Sequence, residues 1–88
     1  MNEERIERMT ALLREHLDVS ELIVLDESAK HAGHAGAQDG RGHFKLTITA
    51  SNFRGLNTLK RHRLVYDVLD DMMKTDIHAL SISASDPD

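Results

Sequence analysis

Apolar residues switch between helical and strand periods along this chain, and the switches outline its elements. Ile6, Met9, Leu12, Leu13 and Leu17 recur at spacings of three and four, which predicts a helix from Asn2 to about Leu17. Asn2 can cap it, Glu3 and Glu4 suit its N-terminus, and His16 falls on the apolar face near its end as a packing residue. Asp18-Val19-Ser20 breaks the pattern. Glu21–Glu27 is a short apolar run with polar flanks and an Ile-Val pair, so it reads as a strand. His43–Ala50 alternates: Phe44, Leu46, Ile48 and Ala50 face one way, and His43, Lys45, Thr47 and Thr49 the other. Period two with one polar face predicts a half-exposed antiparallel strand paired with the first, and places His43 in solvent at its start.

Ser51-Asn52 turns the chain, and a second helix follows from Asn57 or Thr58 to about Asp76. Leu59, His62, Val65, Tyr66, Leu69, Met72 and Met73 form its apolar arc. The last strand, Ile77–Ser83, sets His78, Leu80 and Ile82 on one face, so that His78 points inward with two core residues. A strand–helix–strand crossover makes its strands parallel. The expected fold is therefore α+β, an αββαβ chain with a three-stranded mixed sheet and the helices packed on one face. Residues 1–83 form a single domain in this reading, and residues 84–88 a frayed polar tail.

Composition narrows the chemistry. The 88 residues suffice for one modest core. No run of apolar residues is long enough for a membrane span, and the opening MNEERIERM lacks the apolar segment of a secretory signal. Cysteine is absent, so the chain has no disulfide and no thiolate of its own, which fits a cytoplasmic protein. Net charge is −4, against general nucleic-acid affinity. One segment runs counter to that balance: Arg54, Lys60, Arg61 and Arg63 lie in a stretch without acids. This puts bases at the start of the second helix and Asp67, Asp70 and Asp71 toward its end, opposite to what the helix dipole favours. Such a patch can meet an anion or form a solvated face. No nucleophile with an adjacent base, phosphate-cradling loop or paired-carboxylate cleft can be argued from these residues, so no enzyme is expected.

The histidines are the other candidates. Ser28–Gly42, rich in glycine and small residues, reads as a long loop holding His31 and His34 three apart. Two imidazoles do not complete a metal site, for which three or four ligands are usual. His62 and His78 point inward in this reading, where each ring nitrogen needs a partner.

Asp26-Glu27-Ser28, His31, His43-Phe44, Phe53, Gly55, Arg61-His62-Arg63, Tyr66 and Ile77-His78-Ala79-Leu80 together resemble the BolA-like proteins over most of the chain. The resemblance implies a fold similar to class II KH domains. It implies a non-enzymatic partner of a monothiol glutaredoxin, the two sharing a [2Fe–2S] cluster with the glutaredoxin cysteine and glutathione as thiolate ligands. The cluster would serve transfer or iron and redox sensing. On this chain the implied ligands are His78 and a loop histidine matching His31, with His34 as the alternate; His62 takes a supporting role. Arg54, Lys60, Arg61 and Arg63 would meet the partner or, in the alternative of a transcriptional regulator, bind DNA weakly. Gly55-Leu56-Asn57-Thr58 lacks the second glycine of the KH clamp, which counts against the nucleic-acid alternative.

Overall fold

The protein was obtained as a computed structural model that describes residues 2–31 and 40–88; the side chains of Lys30 and His31 lie outside that description. The chain runs α1 (Asn2–His16), β1 (Val19–Asp26), a 3-10 turn (Ser28–His31), β2 (Gly42–Ala50), a second 3-10 turn (Ser51–Phe53), α2 (Thr58–Val68), α3 (Asp70–Thr75) and β3 (Ile77–Ser85). β2 is central, antiparallel to β1 and parallel to β3. This is the expected α+β order, with the second helix divided in two.

The core lies between the sheet and the helices. Met9 and Leu13 of α1, Val65 of α2, Leu69 and Met72 meet Phe44, Leu46, Ile48 and Ala50 of β2, all buried, with Phe53 and Ile77 completing the cluster. The alternation in β2 and the α1 stripe therefore act as the sequence predicts. His16 does not: it is exposed, one residue short of the buried Leu17. Among the described residues no helix covers the other face of the sheet, where Ile23 and Leu25 stay 55% and 50% exposed.

The break at Leu69 answers the charge anomaly of the second helix. Leu69 sits at φ −97°, ψ 12°, and its N–H still bonds the Val65 carbonyl, so the chain tightens without losing the core side chain. Asp70 and Asp71 thereby occupy the first turn of α3, where acids are favoured, and Lys74 sits in its last turn, bonded to Asp70 at 3.0 Å. The apolar arc also rotates relative to expectation. Leu59 and Tyr66 are 58% and 37% exposed, His62 is half-buried, and Leu64 and Val68 pack against the core instead. Asn57 caps α2 by accepting from the Lys60 N–H at 2.9 Å.

Polar clasps fix the two ends of the molecule. At one end Ser51 Oγ donates to Asp18 Oδ2 (2.7 Å) and the Asp18 N–H donates to Asn52 Oδ1 (2.7 Å), joining the end of α1 to the end of β2. At the other, Asp76 accepts from Arg5 Nε (3.2 Å) and Arg8 Nη1 (3.1 Å), holding α1 to the start of β3. The Thr75 hydroxyl, then the Arg8 and Arg5 guanidinium groups, hold the Asp76 carboxyl below its ordinary value, against the opposing effect of burial. Because the folded value is the lower one, this stabilisation is present above about pH 4 and is lost as pH falls through the depressed value. Asp76→Asn is expected to cost about 1–3 kcal/mol at neutral pH. The substitution should also flatten the acid limb of the stability curve, as urea unfolding at neutral and acidic pH will read.

Candidate functional site

The start of β3 departs from regular pairing. Gly42 pairs with Ile77, but the next residue, His43, pairs with Ala79, so His78 is an extra residue bulged out of the ladder. The bulge has a packing cause. Ile77 is buried completely, and Leu80 pairs with Phe44 on the helix side of the sheet. The two lie three apart in sequence, and simple alternation cannot send both inward. One inserted residue reconciles them and turns His78 outward. His78 is exposed, not aligned with Leu80 and Ile82 toward the helices as the sequence pattern suggests.

That rotation brings His78 against His43. The two ring centroids are 5.1 Å apart with planes tilted by 51°. His43 belongs to the face of the sheet opposite the core, yet is only 5% exposed, contrary to the expectation of solvent exposure at a strand start. A hollow of about 230 Å3 shares His43 in its lining, with Glu27, Phe44, Ala79, Leu80 and Ser81. Arg41, the residue before β2, also reaches His78: its Nη2 lies 3.0 Å from His78 Nδ1.

The backbone beneath these rings is tightly tied. The Gly42 N–H donates to the Asp76 carbonyl at 2.9 Å, and the Glu27 N–H to the His43 carbonyl at 2.7 Å. Ser28 Oγ accepts from the His43 N–H (3.1 Å) and from Asn2 Nδ2 (3.3 Å). Asn2 Nδ2 also donates to Asp26 Oδ2 at 2.8 Å. Burial of Asp26 works to raise its pKa, but the Ser28 and Asn2 donors outweigh it, and the carboxyl stays below its ordinary value. The start of α1 and the end of β1 thus hold the strand that carries His43.

The other predicted residues fall elsewhere. His31 ends the first 3-10 turn, but its side chain, and all of His34, lie outside the described residues. His62 follows Arg61 on α2, and Arg61 reaches the far end of β3, bonding the Ala84 carbonyl at 3.2 Å. His78 opens that strand six residues earlier, about 20 Å away along a strand. The structure therefore does not bring His62 to His78, and the His62 side chain forms no hydrogen bond or ring contact among the described residues. His43 takes the adjacent position instead. The inward Ile77 and Leu80 at an odd spacing, next to a strand beginning with histidine, were the available signal for this pair.

The basic patch is largely engaged within the fold. Arg61 Nε donates to the Leu56 carbonyl (2.8 Å), and its Nη2 pairs with Asp86 (3.2 Å). Arg54 pairs with Asp88 at 3.0 Å. The strand runs on through Ala84 and Ser85, past the expected end at Ser83, and the acids beyond it meet these arginines. Lys60 and Arg63 remain exposed, without an ion pair among the described residues. No group of three or more metal-ligating side chains occurs among the described residues.

An α+β domain with a bulged histidine at the start of its last strand is the class defined here, and the comparisons specify the family. Residues 13–88 match the family described as BolA-like protein, and the chain belongs to that family. It is 43% identical over 88 residues to Protein BOLA1, chloroplastic, from Arabidopsis thaliana, covering 97% of this chain and 55% of that protein. It is 46% identical over 85 residues to SufE-like protein 1, chloroplastic/mitochondrial, of the same plant, covering 91% of this chain and 23% of the relative. The chain thus spans about half of one of these relatives and a quarter of the other. The solved BolA domain of SufE1 from Arabidopsis thaliana superposes with a TM-score of 0.83 at 45% identity, covering 94% of this chain and 92% of that one. Both plant relatives are named as organellar, and the expected cytoplasmic placement gains no support from them. Among the described residues no helix is long and apolar enough to cross a membrane.

Gly42 is the position on which the site geometry can be tested most simply. A Cβ there would lie 2.5 Å from Cε2 and Cζ of the buried Phe44 ring. Gly42→Ala is expected to destabilise the fold by about 1–3 kcal/mol, measured by thermal or urea unfolding, and to shift the NMR signals of the His43 and His78 rings.

Proposed function

We propose that this chain is a non-enzymatic partner of a monothiol glutaredoxin, with which it shares a [2Fe–2S] cluster for cluster transfer or iron and redox sensing. The observation that carries the reading is the bulge that turns the His78 imidazole outward beside His43. The donor set fits a shared group and not a resident one. The chain offers imidazoles and no cysteine, and too few ligands gather among the described residues to hold iron without help. A partner that supplies thiolates, one of them from glutathione, completes the set. When bound, the cluster supplies one-electron chemistry and transferable iron and sulfide, and histidine ligation raises its reduction potential relative to thiolate alone.

The chain's own residues do the positioning. His78 serves as one ligand, and His31 of the first turn as the second, with His34 as the alternate. The bulge holds the His78 backbone against Gly42 and His43, so the ring is presented from a paired strand and not from a loop. The His43 ring limits the directions it can take. Exposed Lys60 and Arg63 offer positive charge to an acidic surface of the partner, which speeds encounter more than it adds affinity.

Mixing the protein with a monothiol glutaredoxin, glutathione, iron and sulfide under anaerobic conditions tests this directly. Visible absorption and circular dichroism are expected to differ from those of the glutaredoxin alone. His78→Ala should remove that difference while leaving the fold intact, and the His31→Ala/His78→Ala double variant should do so completely. A heterocomplex spectrum indifferent to both histidines would refute their role as ligands.

A second reading has narrower support. Over 76 residues the chain is 36% identical to the DNA-binding transcriptional regulator BolA of Escherichia coli. With Arg54 and Arg61 engaged by Asp88 and Asp86, only Lys60 and Arg63 of the patch are left to meet phosphates. Replacing those two with alanine should weaken DNA or partner binding more at low salt than at high salt, with unchanged stability. Arg61→Ala should instead cost about 1–3 kcal/mol in unfolding experiments, because it strips partners from two carbonyls and a carboxylate.

A further inference from the structure

We propose that Arg41 is a latch that keeps His78 closed to metal in the free chain and must let go when the ring becomes a ligand. Arg41 Nη2 lies 3.0 Å from His78 Nδ1. A guanidinium has donors only, so Arg41 donates and Nδ1 supplies the lone pair. A neutral imidazole with its lone pair at Nδ1 carries its proton on Nε2. Neither nitrogen then offers a bare lone pair outward. Ligation through Nδ1 displaces Arg41 directly. Ligation through Nε2 requires the proton to sit on Nδ1, where its N–H would face the N–H of Arg41. Both routes break the same hydrogen bond. A metal-bound histidine ordinarily donates its other N–H to a carboxylate, a carbonyl or water, and a guanidinium cannot accept it.

The fold enforces the contact. Arg41 immediately precedes Gly42, and Gly42 pairs with Ile77, so the backbone sets the two side chains on adjoining strand starts. The bulge turns His78 away from the core toward this neighbour. A partner carboxylate that takes up the freed guanidinium would open the latch as the complex forms, coupling access to His78 to docking.

The inference rests on the shared-cluster reading for the identity of the metal, but the hydrogen bond and its effect on the ring can be tested without it. Long-range proton–nitrogen NMR on the full chain, at a pH where free imidazole is neutral, reports which ring nitrogen of His78 carries the proton. The wild type is expected to hold it on Nε2, and Arg41→Ala to relax that preference. Cobalt(II), titrated while the His78 signals are followed, should bind there about two- to tenfold more tightly in Arg41→Ala, corresponding to the loss of one hydrogen bond. His78→Ala defines binding elsewhere, and Arg41→Lys, which keeps a cationic donor, should stay nearer the wild type. A wild-type ring protonated on Nδ1, or a tautomer unchanged by Arg41→Ala, overturns the latch. Tighter cobalt binding with an unchanged tautomer also overturns it, because removal of positive charge alone would do that. A ring that responds to Arg41 in a protein that forms no cluster with a glutaredoxin would count against the shared-cluster reading and leave the latch standing.

Discussion

Pairing on both edges of β2 is the constraint on which the rest of the structure depends. Its inward residues Phe44, Leu46 and Ile48 make the floor of the core, and its two neighbours run in opposite directions. A strand held on both sides cannot slip without exposing its whole apolar set. Irregularity is therefore displaced to the flanking strands. On β3 it becomes the bulge at His78, because Ile77 and Leu80 are both drawn to the helix side. The accessible imidazole is a consequence of core packing, produced where two buried residues stand at a spacing that a flat strand does not allow.

The same end of the sheet is stiffened by polar contacts that reach far along the chain. Asn2 and Arg5 of α1, Asp26 and Ser28 at the end of β1, and Asp76 before β3 join in one hydrogen-bonded chain. Their shared task is to fix where β2 and β3 begin. If the proposed site presents one ligand to a partner, this matters more than overall stability, since ligand placement depends on the supporting contacts. The rings of His43 and His78 rise from backbone tied by these contacts and by strand pairing, whereas the second proposed ligand, His31, ends a short turn.

Positive charge on α2 divides into structure and surface. Arg61 and Tyr66 each reach over to a carbonyl of β3, at Ala84 and Leu80, and so cover alternate acceptors along that edge of the sheet. An edge strand with unpaired carbonyls invites pairing with another chain, and side chains laid across it reduce that hazard. Four cations that look equivalent in the sequence thus separate by geometry: Arg61 and Arg54 are held by the acids that follow β3, while Lys60 and Arg63 face solvent. The family likeness to a DNA-binding regulator and the shared-cluster reading draw on different parts of this one small domain.

Periodicity alone determined the α1 stripe, the alternation of β2, the order of the elements and the mixed sheet. Each follows from repeating local spacing, and burial of the apolar face selects one arrangement. The absence of cysteine likewise fixed that this chain cannot offer iron a thiolate of its own. Tertiary structure decided what spacing could not. It split the second helix at Leu69, where the core side chain and the acids Asp70 and Asp71 have separate demands. It rotated Leu59 and Tyr66 outward and gave Arg61 to the end of β3. It also moved His78 from the inner to the outer face and paired it with His43. These outcomes depend on which residue lies across from which, and a register between distant strands is set by the packing of the whole sheet, not by the run of residues within either one.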